Sequence, residues 1–155
     1  MRIALYHPDI AANTGTIIRL GACMGVHVDI IEPCGFPFGD AAMRRAGLDY
    51  IPKAAVTRHD NWNSFRASVS GRIVLATTRG AIRYTDWAYR ENDTLLLGRE
   101  TSGVPEDICA AVDGSVAIPM QPTTRSLNVA VATGMILGEM LRQTGWNGHN
   151  GRNAG

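Results

Sequence analysis

IPMQPTTRSLNVAVA, residues 118–132, joins a strand end to a helix, and its reading decides how the rest of the chain is understood. Val116, Ala117 and Ile118 close an apolar run. A Pro-bounded loop with Thr123, Thr124 and Arg125 follows, and Ser126 then opens an apolar helix in which Asn128 is the one polar intruder within this stretch. Ser is a preferred helix N-cap because its hydroxyl accepts a hydrogen bond from an unpaired N–H of the first turn. The polar groups of Arg125, Ser126 and Asn128 are therefore expected together at a helix start beside a strand end, where ligands sit in α/β proteins. An ordinary capped helix is the plain alternative for this segment taken alone.

Working outward, short β-rich runs alternate with helical patterns. Arg2–Tyr6, Val26–Glu32, Ala54–Arg58, Arg72–Thr77, Thr94–Gly98 and Ser115–Ile118 read as strands. Helices are expected over Thr14–Met24, Asn61–Val69, Pro105–Val112 and Ser126–Thr144, with a loop and short helix between Gly35 and Tyr50. This alternation predicts an α/β fold: a mostly parallel sheet with helices on both faces. Residues 1–144 form one domain, and the Gly/Asn-rich 145–155 reads as a flexible tail. The final helix is apolar nearly all round, with Leu127, Val131 and Met135 on one face and Val129, Ala132, Ile136 and Met140 on another. A helix of that kind must be buried nearly all round, which in a chain this small points to a second copy covering it.

Composition narrows the function less than the pattern does. The net charge of +1 carries no basic signature, yet Lys53 is the only lysine among fifteen basic residues. Arginine suits phosphate and carboxylate recognition, but GC-rich coding produces the same bias, so a nucleic-acid partner is permitted rather than required. Cys23, Cys34 and Cys109 form an odd set with no CxxC pair, which argues against a disulfide framework or a structural zinc site. No run approaches membrane-spanning length and the first residues lack a signal-peptide core, so a soluble, cytoplasmic protein is expected.

Three segments at strand ends hold the unusual polar residues. In Asn13-Thr-Gly15-Thr-Ile-Ile-Arg19, Asn13 is a candidate helix cap and Arg19 flanks the apolar stripe. In Leu97-Gly98-Arg99-Glu100-Thr101-Ser102-Gly103-Val104-Pro105, two glycines follow a strand, but no Gly-Lys-Ser/Thr ending exists and Glu100 stands where phosphate oxygens would sit. The GxGxxG dinucleotide fingerprint is also missing after the first strand. The third segment is the opening stretch.

In this order the three segments resemble the motifs of the SpoU branch of the SPOUT RNA methyltransferases. Ile31-Glu32-Pro33-Cys34-Gly35-Phe36 and Arg44-Arg45-Ala46-Gly47-Leu48-Asp49-Tyr50 are similar to the small single-domain subgroup of the TrmL type, which methylates the 2′-OH of cytidine or uridine 34 in tRNA. The resemblance implies a deep C-terminal trefoil knot, a homodimer and S-adenosylmethionine as donor, released as S-adenosylhomocysteine, with no metal. It assigns donor binding to Ala76, Thr77, Gly98, Glu100, Ile118, Met120, Ser126 and Leu127, and catalysis to Asn13, Arg19, Glu100, Ser126 and Asn128. Contacts to the tRNA anticodon stem-loop are expected from Arg19, Arg44, Arg45, Lys53, Arg58 and Arg125, with no role for DNA or a membrane. Arg99 departs from the Pro that related wobble enzymes often carry before the Glu.

The chemistry agrees with that resemblance. Methyl transfer from a sulfonium is a positioning problem, with a hydroxyl proton to be disposed of. An Arg side chain is effectively never deprotonated, so Arg19 is expected to pair with a phosphate and stabilise charge on the 2′-oxygen, not to act as a base. Competing readings are a 2′-O-methyltransferase for rRNA or another tRNA position, a non-catalytic RNA-binding dimer, and a Rossmann-type nucleotide module.

Overall fold

Strand β1 (Arg2–Tyr6) is apolar on both sides because it is an interior strand of a parallel sheet covered on both faces. Ile3 and Leu5 face one hydrophobic core, while Ala4 and Tyr6 face the other. The structure, a computed structural model, describes residues 1–39, 55–80 and 82–146. The expected short helix within 35–50, the cations Arg44, Arg45 and Lys53, and nearly all of the expected tail lie outside the described residues.

Six further strands follow: β2 (His27–Ile31), β3 (Val56–His59), β4 (Ile73–Ala76), β5 (Ile82–Arg83), β6 (Thr94–Leu97) and β7 (Gly114–Ala117). The sheet order is β3-β2-β1-β6-β4-β7-β5, and every pairing is parallel. The chain builds outward from β1 through β2 to β3, then returns to build the other half. Loops on either side of the β1/β6 boundary therefore run in opposite directions and leave a crevice at the carboxyl ends of the strands.

Helices α1 (Ala11–Met24) and α4 (Val129–Gln143) cover one face. Ile17, Ile18, Ile136, Leu137 and Met140 pack there with Leu5, Val28, Leu95 and Leu97. On the other face α2 (Trp62–Ser68) and α3 (Glu106–Ala111) bury Phe65 and Ile108 against Tyr6, Ile31, Ile73 and Leu96. Each such fully buried side chain stabilises the fold by about 1.5–3 kcal/mol through loss of apolar surface from water.

The helix starts differ from expectation at two places that matter for the site. Helix α1 begins at Ala11 after Ile10, with no side-chain cap, so Asn13 lies inside the first turn and does not cap it. Helix α4 begins at Val129, and its cap is Asn128 rather than Ser126: the Asn128 Oδ1 accepts from the N–H groups of Ala130 (2.8 Å) and Val131 (3.3 Å). An amide can cap with its oxygen and still donate with its nitrogen, which a serine hydroxyl does less well. At α2, expected over Asn61–Val69, the helix runs Trp62–Ser68 with Asn61 as its cap, Asn61 and Ser64 forming a reciprocal capping box.

One face of α4 is buried, as its pattern requires. The other is not: Val131 and Met135 are 53% and 40% exposed, Leu127 just before the helix is 40% exposed, and Ile10 just before α1 is 45% exposed.

Candidate active site

An open cleft of about 690 Å³ lies at the carboxyl ends of β4, β6 and β7, closed on one side by the start of α4. Its apolar lining comes from Leu75, Leu97, Val116, Ile118 and Ile136, residues at or beyond strand ends and on α4. Clefts of a few hundred Å³ with an apolar lining and a few fixed polar groups are the usual form of small-molecule sites.

The turn after β6 is tightly built. Arg99 and Gly103 exchange two backbone hydrogen bonds, of 3.0 and 2.9 Å, around Glu100, Thr101 and Ser102. Gly103 closes the turn at φ +70°, a conformation that costs glycine nothing. At Gly98 a Cβ would stand 2.7 Å from the Gly103 carbonyl carbon, so the two ends of the turn approach only because that position has no side chain.

This turn is braced to the loop between β1 and α1. The Arg99 guanidinium donates to Asp9 through Nε (3.2 Å) and Nη2 (2.7 Å), and the Thr101 hydroxyl donates to the other Asp9 oxygen at 2.6 Å. These donors hold the Asp9 carboxyl down at about 2. Glu100 accepts from the Asp9 N–H at 2.9 Å on one oxygen and from Asn13 Nδ2 at 3.1 Å on the other. Asn13 Oδ1 in turn accepts from Asn128 Nδ2 at 2.9 Å. A single chain of hydrogen bonds thus runs Glu100–Asn13–Asn128 and ends in the first turn of α4.

His7 sits beside this brace with φ +48°, in the left-handed region that few non-glycine residues occupy, His among those that do so most often. Its ring stacks on Tyr6 at 3.9 Å between centroids. Burial, with help from the Arg99 charge, lowers its pKa, favouring the neutral imidazole.

On the far wall, the Thr77 N–H donates to the Val116 carbonyl at 3.0 Å, and its hydroxyl accepts from the Arg79 N–H at 3.3 Å. The loop 118–128 completes the rim. It is exposed from Gln121 through Asn128, and a turn bonded from Thr124 to the Gln121 carbonyl shapes it.

With this geometry in place, the sequence pattern of the SpoU rRNA Methylase family matches residues 1–138. The chain belongs to the SpoU rRNA methylase family. It is 51% identical over 148 residues to a tRNA (cytidine(34)-2'-O)-methyltransferase of Ancylobacter novellus, an alignment covering 94% of each chain. The Escherichia coli K12 protein of the same name is 41% identical over 151 residues, 96% of each chain. A solved structure described as giving insight into the 2-OH methylation of C/U34 on tRNA has a TM-score of 0.84 at 35% identity, covering 92% of this chain and 94% of that one. An AdoMet-bound rRNA methyltransferase from Sinorhizobium meliloti has a TM-score of 0.75 at 28% identity, covering 91% of this chain and 55% of that one.

In this SpoU methylase the expected donor residues Ala76, Thr77, Gly98, Glu100, Ile118, Met120, Ser126 and Leu127 all line the one cleft, together with Asn13 and Asn128. An apolar interior, strand-end backbone groups and polar groups towards the rim are a lining that fits S-adenosylmethionine. Among the described residues no three His, Cys, Asp or Glu side chains gather to hold a metal ion.

The cations fare differently. Arg19 is exposed on α1 and does not line the cleft of its own chain. Arg58 lies on the edge strand β3, paired with Glu32 and 5.6 Å from the Phe38 ring centroid. Arg125 is exposed on the rim loop. Sequence reading does not single out Arg79, and it marks Arg99 only as a departure from the family pattern. Both line the cleft, and the signal for Arg79 is its place two residues beyond Thr77 at a strand end.

Proposed function

We propose that this SpoU methylase methylates the ribose 2′-OH of nucleotide 34, the wobble position, in the tRNA anticodon loop. The relatives named for cytidine 34 carry the choice of nucleotide, aligned over nearly the whole chain. The convergence of all the expected donor residues on one cleft carries the choice of chemistry. When bound, S-adenosylmethionine supplies the methyl group and leaves as S-adenosylhomocysteine. The 2′-OH exists only in RNA, so DNA offers no acceptor.

The contacts of Glu100, Asn13 and Asn128 support the roles assigned to them below. Backbone groups of Ala76, Thr77, Gly98, Ile118, Met120 and Leu127 hold the donor at the strand ends. Glu100 and Asn13 act as positioning residues, since both Glu100 oxygens already accept N–H bonds and its carboxylate joins two loops. Ser126 and Asn128 orient the ribose or the donor from the start of α4. Arg19 pairs with the phosphate beside the target ribose and stabilises negative charge developing on the 2′-oxygen. Arg44, Arg45, Lys53 and Arg125 contact the anticodon stem-loop backbone. Arg58 contributes less, being committed to Glu32.

We further propose a homodimer through Leu127, Val131 and Met135, whose exposure in a single chain supports a second copy at that face. Such a dimer is the route by which Arg19, outside its own cleft, serves the reaction in the partner's. The segment carrying the donor residues 118–127 belongs to the trefoil knot, and the enzyme works in the cytoplasm. No described helix is long and apolar enough to cross a membrane.

The decisive experiment is to map 2′-O-methylation across total tRNA from cells lacking the protein. Loss at position 34 of a subset of tRNAs, restored by the wild-type gene, is the expected result; normal wobble methylation in every tRNA overturns the reading. For Arg19, the Lys and Ala variants should both lose turnover. A Lys variant that turns over normally but binds tRNA poorly contradicts the fork-shaped phosphate contact.

A further inference from the structure

Four ionisable side chains line the cleft: Arg79, Arg99, Glu100 and Cys109. Arg99 is committed to Asp9 through two of its nitrogens. Glu100 has both oxygens filled by Asn13 and the Asp9 N–H. The Cys109 thiol lies 3.9 Å from the Val104 carbonyl. Arg79 is different. Its backbone N–H is pinned to the Thr77 hydroxyl, and the next residue's N–H returns to the Thr77 carbonyl at 3.3 Å. Its guanidinium has neither a carboxylate nor a carbonyl partner among the described residues. Among those residues the cleft thus keeps one uncommitted cation, on the loop that follows β4.

The donor proposed above carries three charges: a sulfonium, an ammonium and a carboxylate. The first two gain nothing from a guanidinium, and the carboxylate matches its planar donor fork. Thr77, two residues before Arg79, is already assigned to donor binding, and the tight turn at Thr77 holds the Arg79 backbone at the cleft wall, with its exposed side chain part of the lining.

We propose that Arg79 is the carboxylate-recognition residue of the donor site, fixing the amino-acid end of the donor while strand-end backbone groups fix its adenosine. This rests on the S-adenosylmethionine reading of the cleft, which the test probes separately. Arg79 thereby separates donor and product from smaller adenosine thioethers that lack the carboxylate.

Calorimetric titration of S-adenosylhomocysteine and of its decarboxylated analogue, which keeps the amine and the thioether, tests the assignment without any turnover. Wild-type protein should bind S-adenosylhomocysteine more tightly than the analogue. Arg79→Ala should weaken S-adenosylhomocysteine about tenfold, the worth of one good charge-assisted contact, and leave the analogue within about twofold. Arg79→Lys should recover part of the loss.

An equal loss for both ligands, or no loss for either, overturns the proposal. So does a weakened anticodon stem-loop complex with unchanged S-adenosylhomocysteine binding, which would make Arg79 a phosphate contact. Failure of wild-type protein to bind S-adenosylhomocysteine at all removes the donor reading itself, and the proposal with it.

Discussion

The two sides of the cleft are built on opposite plans. Where the β1–α1 loop meets the turn after β6, Asp9, Asn13, Arg99, Glu100, Thr101 and Asn128 satisfy one another. Across from it, residues Gln121–Leu127 are all exposed, and among the described residues their hydrogen bonds are the two from Thr124 to the Gln121 carbonyl. The first side is set before anything binds, so ordering it costs binding little. The second has few buried contacts, which puts it at the low-stability end of the fold. Substitutions on the first side should therefore reach turnover through geometry, and a substitution of Arg125 on the second should change RNA affinity alone.

Glu100→Gln tests this division most severely. A glutamine has one acceptor oxygen where the brace needs two, and its NH2 would face another N–H. Leaving one such group unpaired costs about 2 kcal/mol, so turnover in a methyl-transfer assay should drop about 30-fold or more, with a lower melting temperature. Wild-type turnover in this variant would break the comparison outright.

Asn128 separates two functions of one amide. Asn128→Ala should lose about 1 kcal/mol of stability with the helix cap. Asn128→Asp keeps a good cap but turns a carboxylate oxygen towards Asn13 Oδ1, so melts should stay near wild type while single-turnover rates fall about tenfold. Equal losses in both measurements would mean that the cap alone matters.

The Asp9–Arg99 pair gives a pH signature. Its carboxyl is held at about 2 in the folded protein against an ordinary 3.8, so the pair stabilises above that ordinary value and the contribution disappears as the pH falls to about 2. Melting curves of wild type and Asp9→Asn should differ at neutral pH and converge between about pH 4 and about pH 2. A constant gap would remove Arg99 as the brace.

The smallest effect belongs to the open side. Arg125→Ala should weaken the anticodon stem-loop complex by a few-fold and lower the salt-dependence slope by about one, with the melting temperature unmoved. A change in donor affinity there would erase the distinction between the two sides.

Arg2–Tyr6 is legible to the residue because a continuous apolar run bounded by polar residues admits one register in a parallel sheet. The helix expected from Asn61 is legible to within a residue because the Asn61 side chain bonds to Ser64 within its own first turn. Cap signals mislead where the polar side chain is claimed by a partner distant in sequence. Asn13 is drawn to Glu100, and Asn128, not Ser126, starts α4. Strand β5, only Ile82–Arg83, is too short to carry periodicity. At the site, ordered motifs mark the residues of the cleft. Arg79 is lost among many arginines, since only three-dimensional placement tells a cleft arginine from a solvated one.

Strand β1 lies between β2 and β6, with Arg2 opposite both His27 and Thr94. As the chain leaves the ribosome, its first strand waits for a neighbour that emerges only after four other strands, and such long-range parallel pairing is slow. The cleft waits longer still, because it also needs Asn128 from the start of the last helix. A ligand that binds only the finished cleft stabilises only the complete protein. A ligand of the cleft thus shifts the population towards finished copies and away from partly folded ones.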